Sequence, residues 1–159
     1  MKINVALFGL GRIGIMHAQN LNKNKKFNLK YVFDINRKLS SKAAKKLKTT
    51  YINNPNIAFK DKNIKVIFIS STTSTHIPLI ILAAKHKKII FCEKPLDLNI
   101  NKIDACKKKI KKINPKIQMG FNRRYDPGHK NLKKQLEKGK IGKLEKIIIT
   151  SRDPAPPSL

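Results

Sequence analysis

Short apolar runs alternate along this chain with stretches whose apolar residues recur at helical spacing, and nearly every apolar run ends in small or polar residues. Ile3, Val5, Leu7 and Phe8 open the series. A run that is apolar almost throughout fits a parallel strand covered by helices on both faces. Leu29 to Phe33, Ile64 to Ile69, Lys88 to Cys92 and Lys116 to Met119 repeat the pattern. Between them, Ile15 to Asn24 carries Ile15, Met16, Ala18 and Leu21 as the inner stripe of a crossover helix. Lys42 to Lys48, capped by Ser40 or Ser41, turns Ala43, Ala44 and Leu47 toward a sheet. Pro78 opens a helix that runs through Leu79 to Ala84. Asn99 to Lys112 has Ile100, Ile103, Ala105, Cys106 and Ile110 on one face. Thr49 to Asn63, rich in Asn and holding Pro55, predicts a short strand and an irregular connection. Strands alternating with helices predict an α/β fold: a doubly wound parallel sheet (Rossmann fold) in three αβα layers, strand order 3-2-1-4-5-6. After it come a helix from about His129 to Lys138 and a strand-like run, Leu144 to Thr150. The predicted division is a domain over 1–122 and a remnant over 123–159.

The first apolar run breaks into Gly9, Gly11 and Gly14, a G-x-G-x-x-G triplet at a strand-to-helix junction. The first glycine permits the tight turn, the second lets a pyrophosphate approach the backbone, and the third lets the helix pack on the strand. The free amides of the helix N-terminus favour an anion there. The second run ends in Asp34, 20 residues after Gly14, where an acid that hydrogen-bonds an adenosine ribose is expected. Arg37 follows three residues later and could soften a preference against a 2'-phosphate. Further polar clusters follow the later strands: Ser70 to His76, Glu93-Lys94-Pro95 and Asn122-Arg123. Right-handed crossovers bring the C-terminal ends of parallel strands to one edge, so these clusters are predicted to share one crevice.

Composition changes this picture little. The 159 residues suffice for one well-buried domain and not for two of full size. A formal net charge of +27 suggests a polyanion partner, yet of 36 basic residues only five are arginine (Arg12, Arg37, Arg123, Arg124, Arg152) and the lysines are spread over every segment. Lysine lacks the planar fork that reads bases bidentately, which argues against a specific nucleic-acid partner. No apolar run is long enough to cross a membrane and no signal-type segment precedes the first strand, so a soluble, cytoplasmic protein is expected. Cys92 and Cys106 lack metal-ligand spacing and read as buried or incidental thiols. His17 reads as a surface or packing histidine.

Taken in order, GLGRIG, STTSTH, FCEKPL and GFNRRYDP resemble the N-terminal half of the Gfo/Idh/MocA oxidoreductases, and the tail SRDPAPPS is similar to their inositol 2-dehydrogenase branch. The resemblance implies an NAD-dependent oxidoreductase acting on a secondary hydroxyl of a cyclic polyol or sugar, with NAD favoured over NADP. It implies cofactor contacts at Gly9, Gly11, Arg12, Ile13, Gly14, Asp34, Arg37, Ser71, Thr72, His76, Glu93 and Lys94. Lys94 is implied as the catalytic residue that touches the reacting hydroxyl, and Arg123 as a second substrate contact. Thr72 stands where a proline commonly precedes the family's T-S-T-H stretch. A second α+β domain carrying an Asp and a His is implied to follow. Only its start is present, so a fragment that binds NAD without turnover is expected, with homo-oligomers only in a full-length form.

The residues agree with that chemistry. Oxidising a carbinol needs a group within hydrogen-bond reach of the hydroxyl. Lys94 lies between a buried strand and a proline that restricts its backbone, and Glu93 can hold Lys94 or a ribose hydroxyl. Two other readings stay open: a stand-alone NAD-binding or regulatory module and, with less in its favour, a basic nucleic-acid-binding protein.

Overall fold

β1 (Ile3–Phe8) lies at the middle of the sheet, pairing in parallel with β2 (Phe27–Phe33) on one side and β4 (Val66–Ile69) on the other. The computed structural model describes residues 1–152. With β3 (Thr50–Tyr51), β5 (Ile89–Cys92) and β6 (Ile117–Met119), the strands form one six-stranded parallel sheet. Its order is β3-β2-β1-β4-β5-β6, as the pattern predicts.

Alternation along β1 feeds both faces. Val5 and Leu7 pack with Ala18 and Leu21 of α1 (Arg12–Lys23) and with Ala43, Ala44 and Leu47 of α2 (Arg37–Leu47). Ala6 and Phe8 pack on the other face. They meet Ala58 and Phe59 of α3 (Asn56–Lys60), Ile80, Ala83 and Ala84 of α4 (His76–Lys85), and Cys106 of α5 (Ile100–Ile110). These are the three αβα layers. Phe8 is fully buried, its ring 5.6 Å from Phe33 edge-on and 5.2 Å from Phe59. Truncating such a side chain to Ala costs about 3–5 kcal/mol.

Several helices start earlier than expected. α1 begins at Arg12, so Gly14 lies inside its first turn. α2 begins at Arg37, capped by Asn36, whose side chain accepts from the amides of Lys38 and Leu39. Ser40 is buried within that helix. Asn caps as well as Ser does, and the one nearer the strand acts first. α4 begins at His76, and Pro78 is its third residue, in the first turn where no intrahelical N–H is needed. The connection at Thr49 to Asn63 holds the five-residue helix α3, too short to declare a period.

At the N-terminal edge of the sheet, buried Lys88 donates from Nζ to the carbonyls of Asp61 (2.7 Å) and Ile64 (2.8 Å). The Asp61 carboxylate takes the Lys30 ammonium at 2.7 Å. That bond holds the Asp61 carboxyl below its ordinary value and raises Lys30, while burial lowers Lys88.

The chain divides into two units, Met1–Gly120 and Phe121–Leu159. The second holds a 3-10 turn at Asn122–Arg124 and α6 (Pro127–Glu137), whose cap Asp126 accepts from the His129 amide. The predicted strand from Leu144 to Thr150 does not form: the stretch has no regular structure, and Ile148 and Ile149 are 76% and 82% exposed. A strand needs a neighbour for its backbone groups. Among the described residues none pairs with it. The proline-rich tail, residues 153–159, lies outside the described residues.

Candidate functional site

The three glycines of the turn after β1 serve three different needs. Gly9 has φ +90°, and a Cβ there would stand 2.4 Å from the Ser71 backbone. At Gly14 a Cβ would fall 1.9 Å from the Gly9 carbonyl oxygen, so the helix rests directly on the turn. A Cβ at Gly11 meets nothing within 4 Å. The protein itself has no steric need for that glycine, and the space it leaves adjoins the N-terminus of α1. That first turn has no side-chain cap hydrogen bond and no acid. Its amides have no partner inside the helix and form the positive end of its dipole. Arg12 and Ile13 are exposed on this turn. Open space, unspent amides and absent acid fit a pyrophosphate.

Asp34 closes one side. Its Oδ2 accepts the Leu10 amide of the glycine turn at 2.7 Å, its Oδ1 accepts the Asn36 amide at 2.8 Å, and its backbone is tied to Ser40. Each carboxylate oxygen keeps a further lone pair, enough for a ribose diol. Arg37 is exposed at the start of α2.

On the other side of β1 the hydroxyl run divides its labour. Ser70 Oγ lies 3.0 Å from the Gly9 carbonyl and ties β4 to the glycine turn. Ser71 Oγ meets Thr75 Oγ1 at 2.6 Å, and Thr75 Oγ1 donates to the Thr72 carbonyl. Thr72 is exposed. His76 is 1% exposed, with Nδ1 2.8 Å from the Pro95 carbonyl and Nε2 3.0 Å from the Ser71 carbonyl. It therefore sits beneath the crevice, joining the loops after β4 and β5.

Lys94 follows β5, exposed, and the Lys94–Pro95 bond is cis. Among the described residues no ion pair engages its ammonium. The Glu93 carboxylate is held instead: Oε1 lies 2.7 Å from His17 Nε2, and Oε2 accepts the Lys94 amide at 3.2 Å. His17 is thus no plain surface residue, since its ring packs 4.7 Å from Phe68 and 5.6 Å from Phe91. The sequence held one clue, that His17 falls one helical turn after Gly14.

Arg123 belongs to the second unit, where Nη1 lies 3.5 Å from His129 Nε2. His129 Nδ1 pairs with Asp126 at 2.7 Å and holds that carboxyl below its ordinary value. Both residues also form the cap of α6. Cys92 and Cys106 are buried, and burial pushes the Cys92 thiol up to about 12. Among the described residues no group of His, Cys, Asp and Glu could hold a metal. No helix among them is long and apolar enough to cross a membrane.

Residues 3–121 match the family described as Gfo/Idh/MocA oxidoreductases, NAD-binding Rossmann fold. The chain belongs to that family. Its cofactor class is therefore NAD. It is 40% identical over 159 residues to a myo-inositol 2-dehydrogenase of Thermotoga maritima, covering 99% of this chain and 47% of that protein. It is 35% identical to a scyllo-inositol 2-dehydrogenase (NAD(+)) of Bacillus subtilis, covering 89% and 42%. Among solved structures, a myo-inositol dehydrogenase of Corynebacterium glutamicum superposes with a TM-score of 0.85 at 36% identity, over 91% of this chain and 44% of that one. The scyllo-inositol dehydrogenase of Lactobacillus casei with bound NAD(H) and scyllo-inositol gives 0.83 at 30%, over 89% and 43%. The chain spans about half the length of the curated relatives it matches.

Proposed function

We propose that this chain is the NAD-binding part of a dehydrogenase that oxidises a secondary hydroxyl of a cyclic polyol of the inositol class. The observation that carries the reading is the open space at Gly11 beneath the uncapped first turn of α1, with Asp34 bonded to the same turn. Relatives named as inositol dehydrogenases support the substrate class.

The α1 amides, with Gly11 between them and solvent, hold the pyrophosphate, and Asp34 accepts from the adenosine ribose. The other half of the dinucleotide extends toward the loops after β4 and β5, across the point where strand order reverses. Ser71 and Thr72 border that half, and His76 braces the two loops from below. When bound, NAD supplies the hydride acceptor for the carbinol carbon. The Lys94 ammonium donates to the substrate oxygen and stabilises the negative charge that grows as its proton leaves. Arg123 is a second substrate contact. That proton passes to an acceptor on the second domain that the family resemblance implies, so the 159 residues alone bind the cofactor without turning it over. The protein's positive charge draws the dinucleotide in, and no specific nucleic acid or membrane is bound.

The test compares the purified chain, and a fusion to the second domain of a related dehydrogenase, in NAD with myo-inositol. The fusion is expected to form NADH and the short chain none. Lys94→Ala in the fusion is expected to lose mainly turnover, with NAD affinity nearly intact. NADH formation by the short chain at the rate of the fusion, or a Lys94→Ala effect on NAD affinity alone, would overturn this assignment.

A further inference from the structure

The Glu93 carboxylate is boxed on three sides, and two of the boxing groups, His17 and Gly120, have no part in the cofactor contacts. Its Oε1 takes His17 Nε2 at 2.7 Å. An ionised carboxylate only accepts, so Nε2 carries the proton of this bond. Its Oε2 accepts the amide of the adjacent Lys94. On the third side is Gly120, directly after β6: a Cβ there would lie 2.9 Å from Oε1 and 3.0 Å from Cδ. The histidine cannot retreat, because its ring packs on Phe68 and Phe91, themselves stacked at 4.0 Å. Glu93 and His17 side chains are 17% and 19% exposed, dry enough for the bond to persist.

We infer that His17 is a positioning residue: by gripping Glu93 it sets the backbone of Lys94 relative to the pyrophosphate-binding helix. The path is continuous. His17 lies on α1, one turn beyond Gly14; Glu93 and Lys94 lie on the loop after β5; and the amide of Lys94 is bonded to the carboxylate that His17 holds. The distance between the phosphate cradle and the Lys94 loop is therefore set by side chains as well as by the sheet. Gly120 is required because the carboxylate fills the place of its side chain. This rests on the dinucleotide reading above.

The experiment uses the 159-residue chain with two ligands, NAD and ADP-ribose, which share the adenosine and pyrophosphate and differ only in the nicotinamide. His17→Leu removes the donor, and His17→Gln keeps an N–H at similar reach. His17→Leu is expected to weaken NAD about fivefold, because it shifts the backbone of the loop after β5 along which the nicotinamide half lies, a backbone that Lys94→Ala leaves in place, and to leave ADP-ribose within about twofold. His17→Gln is expected to recover most of the loss. In the ligand-free protein the amide proton of Lys94 is expected to shift upfield in His17→Leu and far less in His17→Gln. Gly120→Ala, which presses on Glu93 from the opposite side, is expected to repeat the NAD-selective loss. Unchanged binding of both ligands by His17→Leu, an equal loss of both, or an unmoved Lys94 amide would overturn the inference. If the unsubstituted chain binds neither ligand, the dinucleotide reading itself fails, and this inference with it.

Discussion

Replacing Gly14 and Gly11 by alanine separates the part of the glycine turn that holds the fold from the part that holds the ligand. At Gly14 the new Cβ would lie 1.9 Å from the Gly9 carbonyl oxygen, where ordinary contact begins at 3.4 Å. The helix must recede by about 1.5 Å, because the Cβ is fixed by its own backbone and the group it meets is a backbone carbonyl, so no rotamer change relieves the clash. Overpacking of this kind costs about 1–3 kcal/mol, and the upper end applies here. At about 4 °C per kcal/mol for a domain of this size, Gly14→Ala is expected to melt about 12 °C lower. At Gly11 the methyl group meets nothing, and the position already has φ −65° and ψ −173°, open to any residue. Gly11→Ala gives up only a mild N-cap preference, about 0.5 kcal/mol or about 2 °C. Its cost falls on the ligand: Gly11→Ala is expected to weaken NAD at least tenfold and Gly11→Val to abolish binding. The assay is thermal unfolding by circular dichroism beside calorimetric titration with NAD. Equal melting losses in the two alanine variants, with NAD affinity kept in Gly11→Ala, would refute the division of roles.

Asp34 is expected to favour NAD by accepting from the ribose diol and repelling a 2'-phosphate; an Asp34→Ala protein that binds NADP no better than the parent would contradict this. Asp61 contributes stability that is present above the carboxyl's ordinary value and is lost as pH falls through its lowered folded value, so Asp61→Asn is expected to flatten the acid limb of the melting curve below about pH 4, and an unchanged acid limb would count against the Lys30 pairing. With Cys92 raised to about 12 by burial and Cys106 raised as well, neither thiol is expected to react with iodoacetamide at pH 8 before unfolding; prompt labelling of the folded chain would show that the sheet opens locally.

The strand order was legible because each buried strand is a bare apolar run that stops at a polar cluster, and parallel topology leaves few ways to arrange such runs. The glycine turn and Asp34 were legible because their spacing is local and each has its own physical need. Helix starts were less so: Asn36, Ser40 and Ser41 are all competent caps, and only the turn after β2 decides that Asn36 acts while Ser40 is drawn in against Asp34. The His17–Glu93 bond was hidden for a different reason. Its partners lie 76 residues apart, and a histidine one turn after Gly14 does not say which carboxylate the loop after β5 will bring to it. The isoleucines at 147–149 read as a strand of a further sheet and are exposed without regular structure here, since an apolar run forms a strand only where a neighbouring strand receives it.

The central claim is that these residues form a specific NAD site and not merely a cationic surface, and calorimetric titration of the chain with NAD at several salt concentrations tests it most directly. A specific site predicts one-to-one binding that survives added salt with modest weakening, prefers NAD to NADP and vanishes in Gly11→Val. Binding without a fixed stoichiometry that fades as salt screens it, holds NADP as tightly as NAD and persists in Gly11→Val would contradict the account.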